Sequence, residues 1–264
     1  MNPSELKLIV QEKYGQVAGA REEGGAGSCC GASGCCTPEG LTAFNESYAH
    51  LEGYDPDADL SLGCGIPVDF AGLKPGDDVL DLGSGAGNDC FVARAIVGEK
   101  GHVTGIDFTE QMLLRAEENR MKLGYSNVEF VRGDIEEMPL PDSHYDVVLS
   151  NCVLNLVPDK ARAFGEIMRV LRPGGHFCVS DVVVKGTLSE KARNDAELYA
   201  GCVAGASTID DYLGFITRNG FSDIRIHKEK RIELPDGIVS GMAGEAESGI
   251  YSVTVSARKL RITD

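Results

Sequence analysis

The sequence predicts an α/β protein built on a doubly wound, mostly parallel sheet of seven strands. Three observations carry that reading. From Pro75 to about residue 219, short apolar runs alternate with helical segments, the pattern of strand–helix–strand units in a parallel sheet. The first run, DVLDL, passes directly into the Gly-rich turn GSGAG and a helix, the join found at the ligand-binding end of such sheets. The last two runs, FSDIRIHKEK and GIYSVTVSARK, break the alternation, so an antiparallel edge is expected there.

Residues 4–14, SELKLIVQEKY, read as a helix with Ser4 as its N-cap. Residues 15–37 are rich in Gly, Ala, Ser and Cys and read as a flexible arm. That arm holds two vicinal pairs, Cys29–Cys30 and Cys35–Cys36. A short helix is expected over 39–50 and a loop over 55–65, ending at Cys64. The strands then read DVLDL, HVTGID, NVEFVRGD, YDVVLSN and HFCVSDVVV. The helices between them are NDCFVARAIV, TEQMLLRAEENRMKLG and DKARAFGEIMRVL, the last stopped by Pro173-Gly174-Gly175. Two further helices are expected over 189–200 and 208–219. The chain divides into an N-terminal part (1–70), a central sheet domain (71–220) and a final part (221–264) that completes the sheet and covers one end.

The 264 residues suffice for a sizeable core. A formal net charge of −16 repels phosphate backbones and anionic membrane surfaces, which disfavours both as partners and favours a small solute. No apolar run reaches the ~18 residues of a membrane span, and the polar N-terminus has no secretory pattern. A cytoplasmic protein is therefore expected, where thiols stay reduced. Nine cysteines, an odd number, then point to reactive or ligand-binding thiols rather than a disulfide framework.

The turn Asp81-Leu82-Gly83-Ser84-Gly85-Ala86-Gly87 lets backbone amides approach a ligand. Its glycine spacing differs from the G-x-G-x-x-G usual for dinucleotides. Asp107 ends the second strand, where an acid accepts hydrogen bonds from a ribose; Asp134 ends the third and Asn151 the fourth. Together these strand-end features resemble the seven-stranded S-adenosylmethionine-dependent methyltransferases. The resemblance implies cofactor contacts from Asp81, Gly83, Ser84, Gly85, Gly87, Asp107, Phe108, Met112, Asp134, Ile135 and Asn151. Met112 has a second reading as core, the commoner fate of a helical methionine.

A sulfonium methyl needs chiefly an aligned nucleophile. His144 and His176, at strand starts, read as surface or turn residues. Sulfur is better represented: Cys64 precedes the sheet, Cys152 follows Asn151 at the C-terminal edge of the fourth strand, and Cys202 follows a helix after the fifth. Each alone reads as a small buried residue, as do Cys90 and Cys178. Converging at one sheet edge, three soft thiolates would suit a thiophilic centre. Trivalent arsenic takes three thiolates and keeps a lone pair, whereas zinc ordinarily takes a fourth ligand.

The segments GCG, DLGSGAGNDC, GEKGHVTGID, SNCVLNLVPDK and GCVAGA resemble the arsenite methyltransferase family from about residue 8 to about residue 219. The resemblance implies an enzyme that methylates arsenite to methyl- and up to dimethylarsenicals, without a permanent metal. It implies Cys64, Cys152 and Cys202 as arsenic ligands and Cys36, with Cys35 next, as an arm thiol that pairs with Cys64 during turnover. Thioredoxin or glutathione is then the reductant, and arsenite or its thiol conjugate the substrate. Leu62 stands where the family often carries Tyr. A quinone- or sterol-type C- or O-methyltransferase, and a non-catalytic metalloid-binding protein, are the competing readings.

Overall fold

The computed structural model describes residues 2–20, 46–186, 202, 205–232 and 248–261. Seven strands form one sheet: β1 (Asp78–Leu82), β2 (His102–Asp107), β3 (Val128–Arg132), β4 (Tyr145–Asn151), β5 (Leu171–Lys185), β6 (Ser222–Ile232) and β7 (Gly249–Arg258). Their order is β3-β2-β1-β4-β5-β7-β6. The first five pair in parallel. β7 pairs antiparallel with both β5 and β6. The late pair is thus the antiparallel part of the sheet, as expected, but the reversed strand lies inside it and β6 forms the edge.

The helices are α1 (Pro3–Ala20), α2 (Val68–Ala71), α3 (Asn88–Val97), α4 (Glu110–Leu123), α5 (Lys160–Val170) and α6 (Ile209–Arg218). The continuous apolar runs of β1 and β4 are explained by burial on both faces. Val79, Val147 and Leu149 pack with Phe91, Val92 and Val97 of α3. Leu80, Leu82 and Val148 pack with Phe164 and Ile167 of α5 and Tyr212 and Ile216 of α6. Successive residues thus serve opposite layers, the period-2 rule of a strand. A third, smaller apolar cluster joins Val10 of α1 to Cys64, Cys152, Cys202, Val182 and Ile250.

Three elements differ from the sequence reading. α1 runs past residue 14 and is capped by Asn2, not Ser4: Glu5 N donates to Asn2 Oδ1 and Asn2 N to Glu5 Oε2, both at 2.9 Å. This reciprocal box with Pro3 at the first helical position is a strong start signal. Residues 46–50, expected to end a second helix, are non-helical, with a turn at 49–50. β5 begins at Leu171, five residues early, because Leu171 pairs with Tyr145 before an irregularity restores register at Val147–His176. The four arm cysteines, the start of the 39–50 helix and the 189–200 helix lie outside the described residues.

Candidate active site

The C-terminal ends of β1 to β4 open onto a cleft. Asp81, Gly83, Ser84 and Gly85 line it from the first turn, and Asp107, Phe108 and Met112 from the end of β2 and the start of α4. Asp134 and Ile135 line it beyond β3, and Asn151 and Cys152 at the end of β4. Ten of the eleven residues read as cofactor contacts therefore share one cavity. Gly87 does not line it. It precedes α3 with φ 98°, and a Cβ there would lie 2.7 Å from Phe91 and 2.9 Å from Phe130. Its role is to let α3 pack, and the run of glycines hid that difference.

The turn is held from below. Gly83 N and Ser84 N donate to Ile106 O at 2.8 and 3.1 Å. Asp107 receives Gly85 N on Oδ2 at 3.0 Å and Thr109 N on Oδ1 at 2.8 Å. Burial pushes the Asp107 carboxyl up, while these amides pull it back. Each oxygen keeps a lone pair for a hydroxyl. Ser84 Oγ and Asn88 Oδ1 border the cleft as buried atoms with no hydrogen-bond partner among the described residues. Polar atoms so placed fit a polar ligand on the turn. Below it, Cys90 Sγ donates to Asp81 Oδ2 at 3.3 Å, so Cys90 is more than core filling. Burial and the nearby Asp89 carboxylate push Asp81 well above the usual range.

Among the cleft residues that escaped the sequence reading are Lys7, Tyr14, Tyr48 and Asp89. Lys7 Nζ donates to Asp134 Oδ2 at 2.5 Å and also pairs with Glu136. Tyr48 OH donates to Asp89 Oδ1 at 2.7 Å, and Asn151 Nδ2 reaches Tyr48 OH at 2.8 Å and Asp89 Oδ2 at 3.3 Å. Burial raises the Asp89 carboxyl to about 6 against these donors. Asp89 in the first turn of α3 reads in sequence as an ordinary helix-dipole partner, and Tyr48 lies in the 39–50 segment read as a short helix, where nothing marks its hydroxyl as buried in a site.

Asn151 also fixes Cys64. Its Oδ1 accepts Cys64 N at 3.0 Å, and its Nδ2 donates to Gly65 O at 2.9 Å. The two glycines flanking Cys64 permit this approach. A Cβ on Gly63 would lie 2.6 Å from Asn151 Nδ2, and one on Gly65 2.6 Å from Ser180 Oγ. From β7, Ser252 Oγ donates to Cys64 O at 2.5 Å.

The structure brings Cys64, Cys152 and Cys202 together in one buried cluster. Cys202 Sγ donates to the carbonyl oxygen of Cys152 at 3.7 Å, and Cys152 influences the titration of both other thiols. Among the described residues, no group of three or more His, Cys, Asp or Glu is arranged to hold a metal ion. Cys152 and Cys202 have φ of 60° and 70°, a left-handed backbone unusual outside glycine. The hydrogen bond from Cys152 lowers the Cys202 thiol to about 7 against the effect of burial. The neighbouring Cys202 and Cys64, together with burial, push the Cys152 thiol well up, and burial raises Cys64. Tyr14 OH lies 3.8 Å from Cys202 Sγ. His176 Nε2 bonds Ala71 O at 2.5 Å, and His144 packs edge-on to Tyr145; neither lines the cleft.

Comparison with known proteins agrees with this geometry. Residues 73–220 match the family model described as a methyltransferase domain. The chain is 41% identical to the arsenite methyltransferase of Halobacterium salinarum, over 98% of this chain and 68% of that protein. It is 35% identical to the arsenite methyltransferase of Aquipseudomonas alcaligenes, over 95% of this chain and 71% of that one. Among solved structures, an arsenic(III) S-adenosylmethionine methyltransferase from Chlamydomonas reinhardtii aligns with a TM-score of 0.65 at 40% identity. It covers 76% of this chain and 68% of that one. With the sheet order, the strand-end acids and the identity running nearly end to end, this chain belongs to the S-adenosylmethionine-dependent arsenite methyltransferase family.

Proposed function

We propose that this chain methylates trivalent arsenic held by Cys64, Cys152 and Cys202. The observation that carries this reading is the three-thiol cluster buried beside the cleft, with Cys152 belonging to both. S-adenosylmethionine, when bound, supplies an electrophilic sulfonium methyl group. Asp107 and Asp134 are placed to receive its polar groups, and the Gly83–Gly85 backbone to underlie it. On the acceptor side, Cys202 is the thiol most readily deprotonated, and Cys152 and Cys64 release their protons as arsenic replaces them. The three sulfurs leave arsenic a lone pair, which attacks the methyl carbon; the sulfonium S–C bond breaks, S-adenosylhomocysteine leaves with that electron pair, and no general base is required. Among the described residues, no helix is long and apolar enough to cross a membrane, consistent with work on a small solute in a reducing cytoplasm.

Methylation raises the formal oxidation state of arsenic by two. Two thiols that close to a disulfide return those two electrons. We assign this step to Cys64 and an arm thiol, Cys36 with Cys35 next, reset by thioredoxin or glutathione. Methyl- and dimethylarsenicals are the products. The test is to incubate protein with arsenite, S-adenosylmethionine and a thioredoxin system, then to separate arsenic species by chromatography with elemental detection. Methylated arsenic from the native chain and none from Cys152→Ser is expected. Arsenite bound without any product would instead favour a metalloid-binding protein, and no arsenite binding an organic-acceptor methyltransferase. Replacing Cys35 and Cys36 with Ser should preserve one turnover and slow repeated ones; unchanged multiple turnover would remove the arm from the cycle.

A further inference from the structure

Resting on the arsenic reading above, we infer that Asn155 is a positioning residue: it holds Cys202 beside Cys152 so that arsenic is gripped by three sulfurs rather than two. Asn155 lies in the 3-10 turn Leu154–Leu156, three residues after Cys152, and is fully buried. Its Nδ2 donates to the carbonyl oxygen of Cys202 at 2.8 Å, across 47 residues of sequence. Cys202 has a left-handed backbone, φ 70°. Such a conformation in a non-glycine residue persists where its surroundings hold it. A hydrogen bond on that residue's own carbonyl is a hold of this kind.

The turn that carries Asn155 is itself anchored. The buried Lys160 ammonium donates to Asn155 O at 3.0 Å and Val157 O at 2.9 Å. Val153, just before the turn, stands so close to the cofactor loop that a Cβ on Gly83 would lie 2.5 Å from it. One short turn therefore joins the cofactor loop, the Cys152 strand end and the Cys202 segment. The far end of the amide strengthens the case. Asn155 Oδ1 is buried with no hydrogen-bond partner among the described residues. A buried acceptor without a partner is costly, and an apolar side chain of equal size would avoid that cost. The amide is thus costly as an acceptor and useful as the donor to Cys202.

The test is arsenic K-edge absorption spectroscopy on the arsenite-loaded full chain, native and with Asn155→Leu or Asn155→Asp. Both variants keep the branched side-chain shape; a leucine cannot donate to the Cys202 carbonyl and neither can an ionised carboxylate, so the measurements are made at about pH 8. The native chain should show three sulfur ligands, and the variants two sulfurs and an oxygen. Arsenite affinity should fall roughly tenfold with the loss of one tethered ligand. Phenylarsine oxide, which needs only two thiols, should bind all three chains. Binding of S-adenosylhomocysteine should be unchanged; if the leucine variant loses it through misfolding, the aspartate variant decides. Three sulfurs at native affinity in a folded variant would overturn the positioning role. A native chain whose bound arsenic has no sulfur shell would overturn the arsenic reading instead.

Discussion

Asp181 is 1% exposed beneath the thiols, with Val182 N on Oδ1 at 3.0 Å and Tyr212 OH on Oδ2 at 3.1 Å. Burial pushes its carboxyl from 3.8 to about 7, with the Lys160 ammonium pulling the other way. The folded state then holds a proton that the unfolded chain has lost, so stability falls as pH rises from about 4 to about 7. Asp181→Asn removes this penalty. Its melting temperature should gain on the native value across that window and run parallel above it; a constant difference in calorimetry would show that Asp181 does not titrate there. Lys160, lowered from 10.5 to about 8 by burial, has the opposite sense: its penalty fades as pH rises from about 8 to 10.5. Gly65 makes a purely steric point. Its added Cβ in Gly65→Ala would lie 2.6 Å from Ser180 Oγ and 2.8 Å from Ser180 Cβ, and Ser180 sits in the middle of β5. The Cys64 loop must then lift, at about 1–3 kcal/mol. Urea unfolding should show that loss, and arsenite binding should weaken more than S-adenosylhomocysteine binding.

At the level of elements, α1 spans the cleft. Lys7 pairs with Asp134 and Glu136, Gln11 Nε2 donates to Phe108 O at 3.1 Å, and Tyr14 touches Cys202. These residues recur every three or four positions, one face of a helix. The same helix thus covers the acid beyond β3 at one end and a thiol at the other. Lys7→Met should weaken S-adenosylhomocysteine binding by roughly fivefold, the scale of a half-exposed ion pair; equal affinity by titration calorimetry would mean that α1 rests on the cleft without gripping it. The length of α1 was hard to read because Gly15 and Gly19 are weak helix formers. Tertiary contact compensates: Arg115 Nη1 of α4 donates to Ala18 O at 3.0 Å. By contrast, strands β1, β2 and β4 were legible nearly to the residue, because burial on both faces leaves short, mainly apolar runs, those of β2 and β4 ending in Asp107 and Asn151.

Across the whole molecule, 41 acidic residues face 25 Lys and Arg. Self-repulsion at that imbalance opposes compaction and is screened by salt. The melting temperature should rise from low ionic strength to about 1 M potassium chloride, where the Debye length is ~3 Å; a flat profile would mean the charges are already offset locally. The part of the cleft formed by the Gly-rich turn and the strand-end residues was visible in sequence, since a parallel sheet gathers its strand ends along one edge. Convergence of the thiols was visible only as three cysteines near one edge. What joins them, Asn151 to Cys64 and Asn155 to Cys202, is long-range hydrogen bonding that no local pattern encodes. The same holds for the place of β7, which its sequence marks as a strand without marking its neighbours. That place matters during synthesis. β1 to β5 leave the ribosome before β7 exists, so the cleft is laid down first, while Ser252, which steadies Cys64, arrives late. Until then β5 offers an unpaired apolar edge from His176 to Lys185, a template on which neighbouring nascent chains can pair. One ten-residue strand, Gly249–Arg258, therefore steadies the Cys64 loop and ends the period in which the growing chain is prone to aggregate.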